Sequence, residues 1–162
     1  MIQIYLTRHG QTQSNVERLM QGWADTPLTA LGLEQGKLLG KKLRSIPFSK
    51  IYCSPSKRAQ MTASFINAYQ HTDIIATNGL KEMNFGDLEL KAEPEGSTWQ
   101  QLLLYDWTKI GGNNIDMVSK QMKQMMDRIV QHAQDNTNIL CVTHCFSILS
   151  LLYAIDVNFF EQ

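Results

Sequence analysis

The chain has 162 residues, 43% of them hydrophobic and 19% charged, which is enough apolar material for one domain with its own core. Fifteen Lys and Arg balance fifteen Asp and Glu, so no broad field draws in nucleic acid or an anionic membrane, and any anion site must be a local concentration of charge. No apolar run approaches a membrane span, and no charged-then-apolar leader opens the chain. Three cysteines (Cys53, Cys141, Cys145) fit free thiols, so a cytoplasmic protein is expected.

Ile2, Ile4, Tyr5 and Leu6 read as a buried strand that ends at Arg8-His9-Gly10. Thr29 caps a predicted helix running to Arg44, with Leu31, Leu38, Leu39 and Leu43 as its apolar face; Gly32, Gly36 and Gly40, four apart, permit close approach of a neighbour. A short strand at Ile51–Cys53 follows. Ser54-Pro55 then predicts a helix start, with Ser54 as cap and Pro55 in the first turn, running to Tyr69. Ile74–Ala76 is a strand, and 78–96 is irregular. Ser97-Thr98-Trp99-Gln100 reads as a capping box opening a helix through Ile110. A Met-rich helix spans 115–134, its Met117, Met122, Met125 and Met126 read as adaptable core. Ile139–Thr143 is a strand buried on both faces, and Phe146–Ile155 is the final helix. Strands alternating with helices predict a single-domain α/β fold over 1–162, a three-layer α/β/α sandwich with a mostly parallel central sheet.

Three strands exit into similar chemistry: the first at Arg8-His9, the second into a helix carrying Lys57 and Arg58, the last at His144. Ligands of parallel α/β sheets bind beyond the carboxyl ends of the strands. If these strands are neighbours, Arg8, His9, Arg58 and His144 converge on one crevice, and free N–H groups at the start of the Ser54 helix add to an anion site. Two arginines and two histidines suit a phosphoryl group, because the guanidinium fork matches its oxygens. Singly, each residue has a plain structural reading: an Arg-His pair caps or solvates, His144 is a satisfied buried histidine, and Arg58 is an exposed helix residue. Lys57, His71 and His132 are read as solvated. No phosphate-binding glycine loop, no dinucleotide fingerprint, no arginine following His144-Cys145 and no metal-ligand spacing competes.

Leu6-Thr7-Arg8-His9-Gly10-Gln11-Thr12-x-x-Asn15 resembles the Arg-His-Gly signature of the histidine phosphatases, the phosphoglycerate mutase-like superfamily. Four later segments are similar to that family's in the same order: Gln21-Gly22-x-x-Asp25-x-Pro27-Leu28-Thr29-x-x-Gly32, Ser54-x-x-x-Arg58-Ala59-x-x-Thr62-Ala63, Leu80-x-Glu82-x-x-Phe85-Gly86-x-x-Glu89 and Val142-Thr143-His144. The resemblance implies a phosphoglycerate mutase-like fold, His9 as the phosphoryl-accepting nucleophile, and Arg8, Arg58, His144 and Asn15 around the phosphoryl oxygens, with Gln21 and Gly22 beside them. It makes Glu82 the acid and then the base, with Asp87 or Glu89 as alternatives. Neither metal nor cofactor is implied. The expected partner is a small phosphorylated metabolite, not nucleic acid or membrane.

Four departures from the family pattern stand out. Leu90 follows Glu89 where Gly is common, so that loop is expected to run differently. Gly111-Gly112-Asn113-Asn114 lacks an acid but keeps a cap in Asn114. Cys145 replaces a glycine after the second histidine; it is read first as a small buried residue, and second as a helix-start thiol of lowered pKa that makes activity oxidation-sensitive. Finally, the chain stops at Asn158-Phe159-Phe160-Glu161-Gln162 where family members continue with a strand, so a homodimer, or a folded-back Phe159-Phe160 tail, is expected to cover the sheet edge. A phosphomonoester phosphatase is the leading reading; a phosphoglycerate mutase and a degenerate, non-catalytic phospholigand-binding module are the alternatives.

Overall fold

A computed structural model describes residues 1–156; the Phe159-Phe160 stretch lies outside them. Among the described residues the strands β1 (Gln3–Arg8), β2 (Phe48–Cys53), β3 (Ile74–Ala76) and β4 (Asn138–Thr143) form one sheet in the order β1-β4-β2-β3, every pair parallel. The helices are α1 (Gln13–Glu17), α2 (Ala30–Leu43), α3 (Lys57–Asn67), α4 (Trp99–Leu104), α5 (Ile115–His132) and α6 (Cys145–Ile155). A strand covered on both faces sorts alternate side chains to opposite sides, and β4 does so. Leu140 and Val142 join Ile51, Cys53 and the Ala59, Ala63 and Ile66 face of α3, whereas Ile139 and Cys141 join Val118, Met122 and Ile129 of α5 and Leu151 of α6. The result is the three-layer sandwich that the alternation of elements predicts.

Helix α2 bears out part of its predicted face, since Leu39 and Leu43 pack against the cluster of Phe48, Ile51 and Ile66. Thr29 caps it as expected, its Oγ1 accepting from Gly32 N at 3.0 Å, but Leu31 and Leu38 are half exposed and the buried residues are Gly32, Gly36 and Gly40. Without side chains on that stripe, α3 approaches closely enough for Phe65 to lie against the α2 backbone. Met117 is likewise half exposed, while Met122 and Met125 are core.

Other boundaries shift for local reasons. The helix α1 has no counterpart in the sequence reading; Thr12 and Asn15 form a reciprocal capping box there. Helix α4 starts after Thr98, which pairs with Gln101, one residue later than predicted. It ends at Leu104 rather than Ile110, because Asp106 caps a separate 3-10 turn at Trp107–Ile110 that buries Trp107. Helix α3 starts at Lys57, not at Ser54-Pro55: Ser54 N continues the β ladder to Val142 O at 2.9 Å. Asn114 caps α5 as expected, accepting from Met117 N at 3.1 Å.

The sheet order is what makes a site. β4 lies between β1 and β2, with Arg8 paired to Thr143 and Cys53 to Val142. The residues that follow each strand, His9, His144 and the turn into Arg58, therefore emerge side by side.

Candidate active site

His9 leaves β1 with its N–H still on the ladder, 3.1 Å from Thr143 O. Its Nδ1 is 2.7 Å from Gly10 O; a carbonyl only accepts, so Nδ1 holds the proton and Nε2 carries the lone pair. Gly10 tolerates no side chain, since a Cβ there would collide with the Gly32 carbonyl. Burial, and then the Arg58 charge, push the His9 pKa down to about 3. His144 is fully buried, its ring centroid 5.2 Å from that of His9. Its pKa lies well below 6.5 for the same reasons in the same order.

Arg58 joins the two imidazoles, and all five of its N–H groups have acceptors. Nε donates to His9 Nε2 at 3.2 Å. Nη1 donates to Ala24 O and Asp25 Oδ1, both at 2.8 Å. Nη2 donates to Gly22 O at 2.7 Å and to His144 Nδ1 at 3.1 Å. That last bond leaves the His144 proton on Nε2, 3.5 Å from Ser56 Oγ. Burial lowers the Arg58 pKa, and the Asp25 carboxylate works against that.

Glu82 is buried at the start of α6. Its Oε1 accepts from Met83 N, Ser147 N and Ser147 Oγ, each at 2.9 Å, and Oε2 from Phe146 N at 3.1 Å. The carboxyl thus caps a helix whose own N-cap residue, His144, has no capping side-chain bond. Burial raises its pKa, opposed by those same hydrogen bonds. Arg8 is exposed, and its guanidinium has no hydrogen bond or ion pair among the described residues. With His9 and Asn15 it lines a cleft of about 390 Å³.

The remaining candidates lie one step behind. Asn15 Oδ1 accepts from Thr12 N in the α1 cap. Gln21 accepts from Thr12 Oγ1 and donates to Thr26 Oγ1. Gly22 offers its carbonyl to Arg58, while its N–H goes to Glu89. The α3 N-terminus is not an open anion site as expected: Asp25 Oδ2 accepts from Lys57 N at 2.6 Å. His71 and His132 are exposed, as read from sequence.

Two residues do more than the sequence reading assigned. Asp25 holds Arg58 and the α3 start together. Glu89 accepts from the backbone N–H groups of Gly22, Trp23, Ala24 and Phe85, pinning the loop whose carbonyls orient Arg58. The following Leu90 takes the left-handed conformation (φ 60°) that a glycine would adopt more cheaply. Cys145 is half buried and its thiol is pushed up by desolvation, not down, which opposes the oxidation-sensitive reading. Among the described residues no group of three His, Cys, Asp or Glu is placed to hold a metal ion, and no helix is long and apolar enough to cross a membrane.

Comparison with known proteins places this geometry. The model of the histidine phosphatase superfamily (branch 1) matches residues 4–159. The adenosylcobalamin/alpha-ribazole phosphatase of Escherichia coli is 33% identical over 94% of this chain and 78% of its own length. The uncharacterized phosphatase PhoE of Bacillus subtilis is 32% identical over 96% and 78%. The crystal structure of a phosphoglycerate mutase from Bacillus anthracis superposes with a TM-score of 0.82 at 28% identity, covering 96% of this chain and 80% of that one.

Proposed function

The chain belongs to branch 1 of the histidine phosphatase superfamily, and from that premise we propose that it hydrolyses a small phosphomonoester through a phosphohistidine on His9. The observation that carries this reading is the His9 tautomer: Gly10 O holds the Nδ1 proton and leaves the Nε2 lone pair facing a buried arginine. In the first step Nε2 attacks phosphorus, the P–O ester bond breaks, and the leaving oxygen takes the Glu82 proton. In the second, water gives a proton to Glu82 and attacks phosphorus. The P–N bond then breaks and His9 returns neutral. Neither step calls on a metal ion or cofactor.

Phosphoryl transfer asks the protein mainly for position and charge. When a phosphoryl group enters, the Arg58 Nε–H turns from His9 Nε2 to a phosphoryl oxygen, freeing the lone pair and binding the charge in one movement. Arg8, whose guanidinium has no partner among the described residues, and His144 Nε2–H supply further donors, and Asn15 assists. Gln21 and Gly22 support the Arg58 loop from behind. Low imidazole pKa values keep both histidines neutral at neutral pH, so His9 remains a nucleophile.

The test is a phosphomonoester panel run with a chelator. Wild type should turn over at least one ester and carry an acid-labile, base-stable phosphoryl label; His9→Ala should lose the label and at least about 10⁴-fold in rate. No turnover on any ester sinks the reading in favour of a binding module, and exchange of phosphoglycerate isomers faster than hydrolysis favours a mutase. We further read the protein as a cytoplasmic homodimer. The free, buried Cys53 and Cys141 and the half-exposed β1 at the sheet edge support this; a monomeric mass in solution removes the dimer.

A further inference from the structure

A second cleft of about 180 Å³ carries Trp23, Asp25, Ser56, Lys81 and Glu82 on its walls. Since Glu82 is the group assigned to protonate the leaving oxygen, the alcohol half of the substrate has to pass close to these residues. Lys81 directly precedes Glu82, and its Nζ sits 3.2 Å from the centre of the Trp23 ring. An indole face attracts a cation, most strongly where water is partly excluded.

Both members of this pair are held from behind. The Trp23 indole Nε1 donates to Glu82 O at 2.9 Å, and Trp23 N donates to Glu89 at 3.0 Å. The Lys81 carbonyl accepts from Gln121 Nε2 at 3.0 Å and Ser147 Oγ at 2.9 Å. The ammonium itself forms no ion pair among the described residues. Each nearby carboxylate is already engaged: Asp25 by Arg58 and Lys57 N, Glu82 by the start of α6, and Glu89 by four backbone N–H groups. Desolvation also lowers the Lys81 pKa. A partly dehydrated cation without a counter-ion, on a fixed aromatic seat, is satisfied by an anion brought by the ligand.

We propose that Lys81, seated on Trp23, is a specificity-determining residue that favours phosphomonoesters whose leaving alcohol carries an anionic group of its own. This rests on the phosphatase reading above and names the substrate class for it. The reactive phosphoryl group belongs to Arg8, Arg58 and His144; the second anion belongs to Lys81.

The experiment compares two esters of one scaffold, 3-phosphoglycerate and glycerol 3-phosphate, in which a carboxylate replaces a hydroxymethyl group. The readout is the ratio of their kcat/KM values in wild type, Lys81→Gln and Lys81→Arg, each checked for folding by thermal melting. Wild type should prefer the carboxylate ester about fivefold, the size of a partly screened charge contact. Lys81→Gln should bring the ratio close to one, mainly through KM, and Lys81→Arg should restore part of it. An unchanged ratio in Lys81→Gln, or an equal loss on both esters, overturns the assignment and leaves Lys81 a structural prop for Trp23. If wild type hydrolyses other esters of the panel but neither of these, this assignment alone fails; if it hydrolyses none, the phosphatase reading fails and takes this one with it.

Discussion

In the proposed mechanism most of the chemistry turns on Glu82, because the buried carboxyl that caps α6 is also the one assigned the proton. Burial raises its pKa above 4.5, against four hydrogen bonds that favour the ionised form. The sign follows directly. The first step needs the protonated form, so kcat/KM falls as pH rises through the folded-state pKa of Glu82. His9, at about 3, adds no limb in the neutral range. Glu82→Gln should remove that alkaline limb and lower kcat/KM for an alkyl phosphate by about 10²–10⁴-fold. The loss should be smaller for p-nitrophenyl phosphate, whose leaving group needs little help from an acid. Rate profiles from pH 4 to 9 measure both; a limb that survives in Glu82→Gln would assign the acid elsewhere. At this scale the sequence is legible for residue types at strand exits and silent on tautomers. Which ring nitrogen of His144 holds a proton depends on Arg58, 86 positions away.

At the scale of elements, the contact between α2 and α3 is set by missing side chains. A Cβ on Gly40 would lie 2.7 Å from Phe65 O, a backbone atom that cannot step aside, whereas one on Gly36 would meet the Phe65 ring at 2.8 Å. Alanine gains about 1 kcal/mol of helix propensity over glycine, but overpacking costs about 1–3 kcal/mol. Gly40→Ala should therefore destabilise the fold by about 1 kcal/mol, and Gly36→Ala by less, because a ring can rotate. Urea titrations of the two variants measure this, and a stabilised Gly40→Ala protein would contradict the account. Periodicity alone predicts the helix and places Leu39 and Leu43 correctly against the core, but it misplaces Leu31 and Leu38 and passes over the glycines. Leucine is the usual core residue, and only the proximity of α3 shows that Gly36 and Gly40 are what it faces, while Gly32 lies against the Gln11 backbone.

For the whole molecule, the buried histidines make stability depend on pH. His9 is depressed from 6.5 to about 3 and His144 lies well below 6.5, so an unfolded chain takes up protons below pH 6.5 that the folded chain refuses. A depressed folded-state pKa contributes stability above the unfolded value that is lost as pH falls. Two such groups give a limiting slope of about 2.7 kcal/mol per pH unit. Glu82 acts oppositely, since its raised pKa contributes stability at low pH that is lost as pH rises through the folded value; where the windows overlap it cancels about one proton of the slope. Melting temperatures should thus fall steeply from pH 7 to 4, and a flat profile would count against two neutral, buried imidazoles.

By itself the sequence determined the class of fold and the strands β1 and β4 with their polar exits, and it put forward Arg8, His9, Arg58 and His144 as candidates; Glu82 entered through the family resemblance, beside Asp87 and Glu89. Those signals are local: alternation, caps and residue types within a few positions of one another. Tertiary structure alone decided that Asp25 closes the α3 start, that Glu89 pins the loop behind Arg58, and that Lys81 rests on Trp23. Each of these joins residues 32 to 67 positions apart. No pattern along the chain encodes such a pairing, because it exists only once β4 has inserted between β1 and β2 and brought their ends together.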